Sequence, residues 1–369
     1  MEDLGVGQKT FAPTQTRPLD EVVGSYTYFA DGDVLLAKIT PCFENGKLGI
    51  ADGLSNGVGF GSSEYFVFRP GSLIDKDWLY YFLSRESFRV EGAARMSGAV
   101  GHKRVAKEFV EGYQIPLPPV PEQKRIVAIL DEAFEGIDTA VANAEKNLVN
   151  ARELFDSYLN SIFAQRGEGW VEKRLETVAS ILNGYAFKSS DFSPKEKVKC
   201  IKITNVGVRE FICNSGSYLP SSFTEDYKAV SVKEGSIVIV LTRTIIAGRL
   251  KVATVPEEYD SALLNQRVAS IIPNGKHLNA AFLFAYLSTH AVVDYVKERV
   301  NTLMQPNLSI VDLRSMPIPV PPREEQDAIA EQLDELHEET LSLQDIYQQK
   351  LDNLLELKQA ILQNAFPGS

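Results

Sequence analysis

The chain has 369 residues, 44% of them apolar and 24% charged, with a formal net charge of −11; these values fit a soluble protein of two or more domains and exclude collagenous and low-complexity classes. It holds no run of about 18 apolar residues to span a membrane, and Met1-Glu2-Asp3-Leu4-Gly5 lacks the basic start and apolar stretch of a signal peptide. Three cysteines (Cys42, Cys200, Cys213) and four scattered histidines (His102, His277, His290, His337) fall in no metal or redox spacing, so no metal site is expected and a reducing cytoplasm is.

From the N-terminus, residues 33–39 and 65–68 read as strands and 77–88 as a helix. Pro116, Pro118 and Pro119 then block helix and sheet continuation. Residues 121–165 read as one long helix, with Pro121 tolerated in its first turn and Glu122 favoured by its N-terminal dipole. Its apolar seam runs Ile126, Leu130, Ala133, Ile137, Val141, Ala144, Leu148, Ala151, Phe155, Tyr158 and Ile162, mostly in alternating steps of three and four.

A second globular segment follows. Residues 199–203, 236–241 and 268–272 read as strands from β-branched density, and 279–299 as a helix with Phe282, Leu283, Tyr286, Leu287, Val293 and Val296 buried. After a second proline cluster comes another long helix. Its expected seam is Ile329, Leu333, Leu336, Thr340, Leu343, Tyr347, Lys350, Leu354, Leu357 and Ile361, with Lys350 as the polar member. Each helix of about 40 residues extends roughly 60 Å at 1.5 Å per residue, which overshoots a domain roughly 30 to 40 Å across. The other copy is the natural cover for each seam, and the pair is expected to run antiparallel.

These elements come twice, 203 residues apart. Ile115-Pro116-Leu117-Pro118-Pro119-Val120-Pro121-Glu122-Gln123 returns as Ile318-Pro319-Val320-Pro321-Pro322-Arg323-Glu324-Glu325-Gln326, and Leu130, Leu159 and Phe163 return as Leu333, Leu362 and Phe366. A period this long is no solenoid; it describes two copies of one globular domain followed by one long helix. The domains are expected at 1–120 and 167–320, the helices at 121–166 and 321–369. The counterpart of residues 170–203 is absent from the first copy, so the first domain is expected to lack its initial part.

Charge is divided unevenly. Residues 121–169 carry 5 basic and 9 acidic side chains and 321–369 carry 3 and 11, against 18 and 14 in residues 170–320. The acid lies on the helices and the second domain is mildly basic, so the net charge does not oppose a nucleic-acid partner. Catalytic motifs fail one by one. Gly5-Val6-Gly7-Gln8-Lys9-Thr10 has Gln8 where a phosphate loop needs glycine, and Gly57-Val58-Gly59-Phe60-Gly61 lacks the following helix and acidic residue of a dinucleotide site. No amino-methyltransferase box, nuclease metal motif or Gly-x-Ser-x-Gly elbow is found, and no catalytic residue is expected.

The doubled proline–Glu-Gln–helix unit resembles the specificity subunit of type I restriction–modification enzymes. So do Asn183-Gly184-Tyr185-Ala186-Phe187-Lys188-Ser189 after Trp170, the strand from Gly235 to Leu241, Asn265-Gln266-Arg267, and Asp33-Val34-Leu35-Leu36-Ala37-Lys38-Ile39-Thr40-Pro41. The resemblance covers essentially the whole chain. It implies an α+β fold with two similar mixed α/β target-recognition domains separated by two long antiparallel helices in a coiled coil, with pseudo-two-fold symmetry. It further implies that each domain reads half of a bipartite sequence in double-stranded DNA and that the helices set the gap between halves. Two methyltransferase subunits and the restriction subunits are the implied protein partners. S-adenosylmethionine, ATP and Mg are expected on those partners only, with no cofactor on this chain. The missing first part of domain one makes a homodimer reading a palindrome an alternative; a coiled-coil adaptor without DNA is another.

Base readout needs Arg or Lys for guanine and Asn or Gln for adenine, whereas phosphates take Lys, Arg and hydroxyls. In the second domain these criteria select Lys188, Ser189, Thr242, Arg243, Thr244, Arg249, Lys251, Gln266, Arg267, Gln305 and Asn307. In the first they select Lys38, Asn45, Lys47, Lys103 and Arg104. For each, an ordinary solvated or capping role competes. Thr242-Arg243-Thr244 leads because it follows a buried strand where a loop must emerge. Tyr185 and Phe187 are expected in the core rather than as base-stacking groups.

Overall fold

The computed structural model describes residues 2–13, 15–99, 101–214, 216–299 and 307–367. The chain forms two compact units, one made of residues up to Asn147 plus those from Tyr347, the other of Leu148–Ile346. Neither long helix belongs to one unit alone.

In the first unit a four-stranded sheet runs in the order Thr10–Phe11, Leu48–Ala51, Val34–Ala37, Tyr65–Phe68, with the first pair parallel and the others antiparallel. Its central strand is buried on both faces. Because successive side chains alternate, Val34 and Leu36 join the core beneath helix Lys76–Ser84, while Leu35 and Ala37 join a second core with Leu4, Phe11 and Phe29. The second unit repeats this plan with strands Val252–Thr254, Ile237–Val240, Val268–Pro273 and Ala179–Asn183, all antiparallel. Ile237 and Ile239 face the helix side, Val238 and Val240 the other.

The units differ at one sheet edge. Val268–Pro273 is paired on both sides, by Ile237–Val240 and Ala179–Asn183. Its counterpart Tyr65–Phe68 pairs among the described residues only with Val34–Ala37.

Each helix expected after the sheet is broken in two. In the first unit Lys76–Ser84 and Glu86–Ala94 meet at Arg85, whose backbone is extended and whose Nε–H donates to the Phe82 carbonyl at 3.0 Å. In the second, Ala280–Leu287 and His290–Arg299 are separated where Ser288 Oγ donates to Phe284 O (2.9 Å) and Thr289 Oγ1 to Tyr286 O (2.7 Å). Hydroxyls that bond back to helix carbonyls compete with continuation.

The first proline cluster lies outside helix and strand as expected, but the second behaves differently. Pro317–Val320 is a strand, paired antiparallel with Val171–Arg174. Pro317 and Pro319 are two apart, so their missing N–H groups lie on the same edge while Ile318 and Val320 turn toward the partner strand. A proline every second residue ends a sheet on one side without preventing pairing on the other.

The glutamine of the repeated motif explains why it returns. Gln326 is 1% exposed; its Oε1 accepts from Asn279 N at 2.8 Å, and its Nε2 donates to Pro321 O at 2.9 Å and His277 O at 3.1 Å. Gln123 is fully buried and repeats the set with Asp75 N (2.8 Å), Pro118 O (2.8 Å) and Leu73 O (2.9 Å). Each amide thus ties the first turn of a long helix to the loop that caps the domain helix, through Asp75 and Asn279 respectively.

The long helices are Val120–Gln165 and Arg323–Ala365. Within the first unit they run antiparallel. Lys358 Nζ pairs with Asp138 at 2.6 Å, while Phe366 packs on Trp78 (4.4 Å), whose Nε1–H donates to Pro116 O at 3.0 Å. The second unit gives the same direction: Phe155 meets His337 (5.0 Å), and Phe163 packs on Trp170, which donates to Glu325 at 2.8 Å. The first seam is largely as expected, but the second shifts after Thr340. The next step is four residues rather than three, so Gln344, Leu351 and Lys358 are sheltered while Leu343, Lys350 and Leu357 face solvent. The polar seam members are therefore Gln344 and Lys358 instead of Lys350.

Candidate functional site

At the end of each central strand the chain builds the same loop frame, 203 residues apart. In the second unit Leu241 N donates to Arg267 O (2.9 Å), Leu308 N donates to Leu241 O (2.9 Å), and Thr242 bridges Asn307. In the first, Lys38 N donates to Glu64 O (2.9 Å), Val105 N donates to Lys38 O (2.9 Å), and Ile39 bridges Arg104. The buried strand must surrender its last residues to solvent at this point, and three separate segments converge on it.

In the second unit the frame extends sideways. Gln266 N donates to Tyr185 O (2.9 Å) and Tyr185 bridges Asn265, joining the 183–189 segment to the same rim. Gly184 permits that approach: a Cβ there would lie 2.1 Å from Asn265 O. Lys188, Ser189, Gln266, Arg267, Arg243 and Asn307 are exposed on this rim and Thr242 is half-buried. No ion pair involves Lys188, Arg243 or Arg267 among the described residues. Arg243 adopts φ +55°, an uncommon backbone for a side-chain-bearing residue, and its N–H points to Asn307 Oδ1 at 3.4 Å. A loop held in that conformation, with guanidinium groups that form no ion pair among the described residues, suits recognition of an anionic, hydrogen-bonding surface.

The family model for the type I restriction modification DNA specificity domain matches residues 23–150 and 167–353. The chain belongs to this family. Among its relatives is the Escherichia coli type I restriction enzyme EcoAI specificity subunit, 28% identical over 410 residues, covering 86% of this chain and 69% of the relative. The MjaVIII specificity subunit of Methanocaldococcus jannaschii is 30% identical over 306 residues, covering 79% of this chain and 66% of the relative. The chain thus spans about two thirds of the length of these relatives. Among solved structures, the HsdS subunit from Thermoanaerobacter tengcongensis superposes with a TM-score of 0.62 at 20% identity, over 92% of this chain and 82% of that one. A chain from work on complex assembly and conformational transition of the type I R-M system gives 0.72, also at 20% identity, over 93% and 84%. At such identities the likeness concerns the fold.

Several residues selected in this specificity chain as DNA contacts are committed elsewhere. Thr244 has no exposed surface and lies inside the second unit. Arg249 pairs with Asp156 on the first long helix, beside Arg209, whose own guanidinium lies 2.9 Å from Asp156. Lys251 donates to Ile203 O at 2.7 Å, and burial lowers its pKa. Thr244 is thus buried, while Arg249 and Lys251 are bonded to groups of their own domain, because a strand-end loop returns into that domain within a few residues. Gln305 lies outside the described residues.

In the first domain Lys38 sits over the Phe66 ring at 5.5 Å and Arg104 is held bidentately by Glu64, whereas Lys103 is exposed. Asn45 and half-buried Lys47 occupy the turn between Val34–Ala37 and Leu48–Ala51, apart in sequence from the Lys103–Arg104 segment. Phe187 is 8% exposed and in the core as expected, but Tyr185 is 45% exposed, its ring 4.5 Å from that of Tyr227. Sequence reasoning passed over Gln123, Gln326, Glu64 and Asp156. The recurrence of Glu-Gln at a fixed offset was the available signal for the two glutamines; nothing local marked the carboxylates.

Proposed function

We propose that this chain is the DNA-reading subunit of a type I restriction–modification complex, each domain reading one half of a bipartite duplex target through its strand-end rim. The duplicated loop frame carries the reading: one backbone arrangement presents different polar side chains at the same place in two domains. The rim of the second domain supplies Lys188, Ser189, Gln266, Arg267, Thr242, Arg243 and Asn307, side chains of the kinds that serve guanine, adenine and phosphate. The long helices fix the distance between readers and offer acidic faces to methyltransferase subunits, and the restriction subunits join that core. S-adenosylmethionine, ATP and Mg belong to those partners. No described helix is long and apolar enough to cross a membrane, and we place the complex in the cytoplasm with its DNA.

The test is co-expression with the partner methyltransferase subunits, followed by mapping of modified adenines. A split, asymmetric motif is the expected outcome. A palindromic motif would instead favour a homodimer in which two second domains read, and a complex without salt-dependent DNA binding would favour a protein adaptor.

A further inference from the structure

We infer that Glu64 makes the first domain a weaker electrostatic reader than the second by neutralising the arginine at its strand-end site. The inference rests on the DNA-reading function proposed above. The matched backbone bonds put Glu64 where the second domain has Arg267 and Arg104 where it has Asn307, and the offset of 203 puts Thr40 at the position of Arg243. The second site therefore carries two guanidinium groups on a frame where the first carries one guanidinium and one carboxylate.

That carboxylate is fully engaged. Arg104 donates from Nε to Glu64 Oε2 at 2.9 Å and from Nη2 to Oε1 at 2.8 Å, while Nη1 donates to His102 O at 3.1 Å. Three of the five N–H donors of Arg104 are thereby occupied, including the side-on pair that could grip a phosphate or a guanine edge. The hydrogen bond from Arg104, with Lys38 nearby, holds the Glu64 carboxyl below the usual carboxylate range, so the pair stays ionised at neutral pH. Of the cations on this rim, Lys38, Lys103 and Arg104, one is cancelled in place. Thr40, at the position of Arg243, donates its hydroxyl to Glu44 Oε1 at 2.9 Å.

Releasing Arg104 while keeping the fold tests this directly. Glu64→Gln retains the shape and can still accept one N–H, and melting of the variant verifies the fold. In the complex with methyltransferase subunits on its mapped target, Glu64→Gln is expected to bind DNA about fivefold tighter at ~0.15 M salt, with a log–log salt slope steeper by about 0.9, the effect of one more neutralised phosphate. The double variant Glu64→Gln/Arg104→Ala should return to roughly wild-type affinity. Unchanged or weaker binding by Glu64→Gln, or a gain that persists in the double variant, overturns the inference while leaving the DNA-reading function intact. A wild-type complex that shows no salt-dependent DNA binding overturns both.

Discussion

Arg243 is held against its own backbone preference on the rim proposed to read DNA. At φ +55° a side chain other than glycine is held in the left-handed region, at a cost of order 1 kcal/mol or more. Arg243→Gly should therefore leave thermal stability unchanged or slightly raised while weakening DNA binding of the complex by about 1–3 kcal/mol. Loss of stability together with unchanged binding would make Arg243 a structural residue. Gln326 is the opposite case. Its amide satisfies one N–H and two carbonyls in a site that is 1% exposed, and leaving such groups without partners costs about 2–3 kcal/mol. Gln326→Ala should lower the melting temperature, whereas the neighbouring exposed Glu324→Ala should not. Repetition at a fixed offset made the glutamine visible as a pattern, but its task depends on which loop folds back over the helix start, and that is a tertiary fact.

Among the elements, the long helices were the most legible because their period is sustained over many turns. Leu159 with Leu362 and Phe163 with Phe366 are buried as the offset of 203 requires. Phase was less secure. Thr340 is buried, so the stripe advances by four to Gln344 and on to Lys358, where apolar counting had selected Leu343 and Leu357. A polar residue whose partner lies across the seam, as Lys358 meets Asp138, looks like a surface residue when read along one helix. The proline strand Pro317–Val320 was illegible for the same reason, since it depends on a strand remote in sequence, whereas the breaks at Arg85 and Ser288 turn on side-chain bonds to carbonyls three or four residues back. His337 offers a test at this scale. Partial desolvation against the Phe155 ring, helped by Arg209 nearby, lowers the pKa of this largely exposed side chain from the ordinary 6.5, so the fold mildly favours the neutral imidazole. Its contribution to stability is complete above about pH 6.5 and is lost as pH falls from there through its folded value. The wild-type denaturation midpoint should drop between neutral and mildly acidic pH, and His337→Phe, keeping a ring against Phe155, should drop less. Equal slopes would remove His337 from the account.

At the scale of the whole molecule, duplication accounts for the two sheets with alternating cores, the two glutamine ties and the two strand-end frames, each described within its own unit. Composition separates the roles further: the acidic residues concentrate on the helices, and the second globular segment carries the excess of Lys and Arg. Of the candidate site, the Thr242–Arg243 loop was legible because it follows a buried strand, and the 265–267 turn because its residues resemble the family. The burial of Thr244 and the bonds of Arg249 to Asp156 and of Lys251 to Ile203 O were not legible, because residue type alone does not show which side chains find partners within the domain. The central claim is that each domain reads its own half of the target through this rim. Its most direct test is to map modified adenines made by the complex carrying Arg267→Ala. The account predicts that the base preference of one half of the motif relaxes while the other half and the gap between them stay as in the wild type. An unchanged motif, or equal relaxation of both halves, would contradict it.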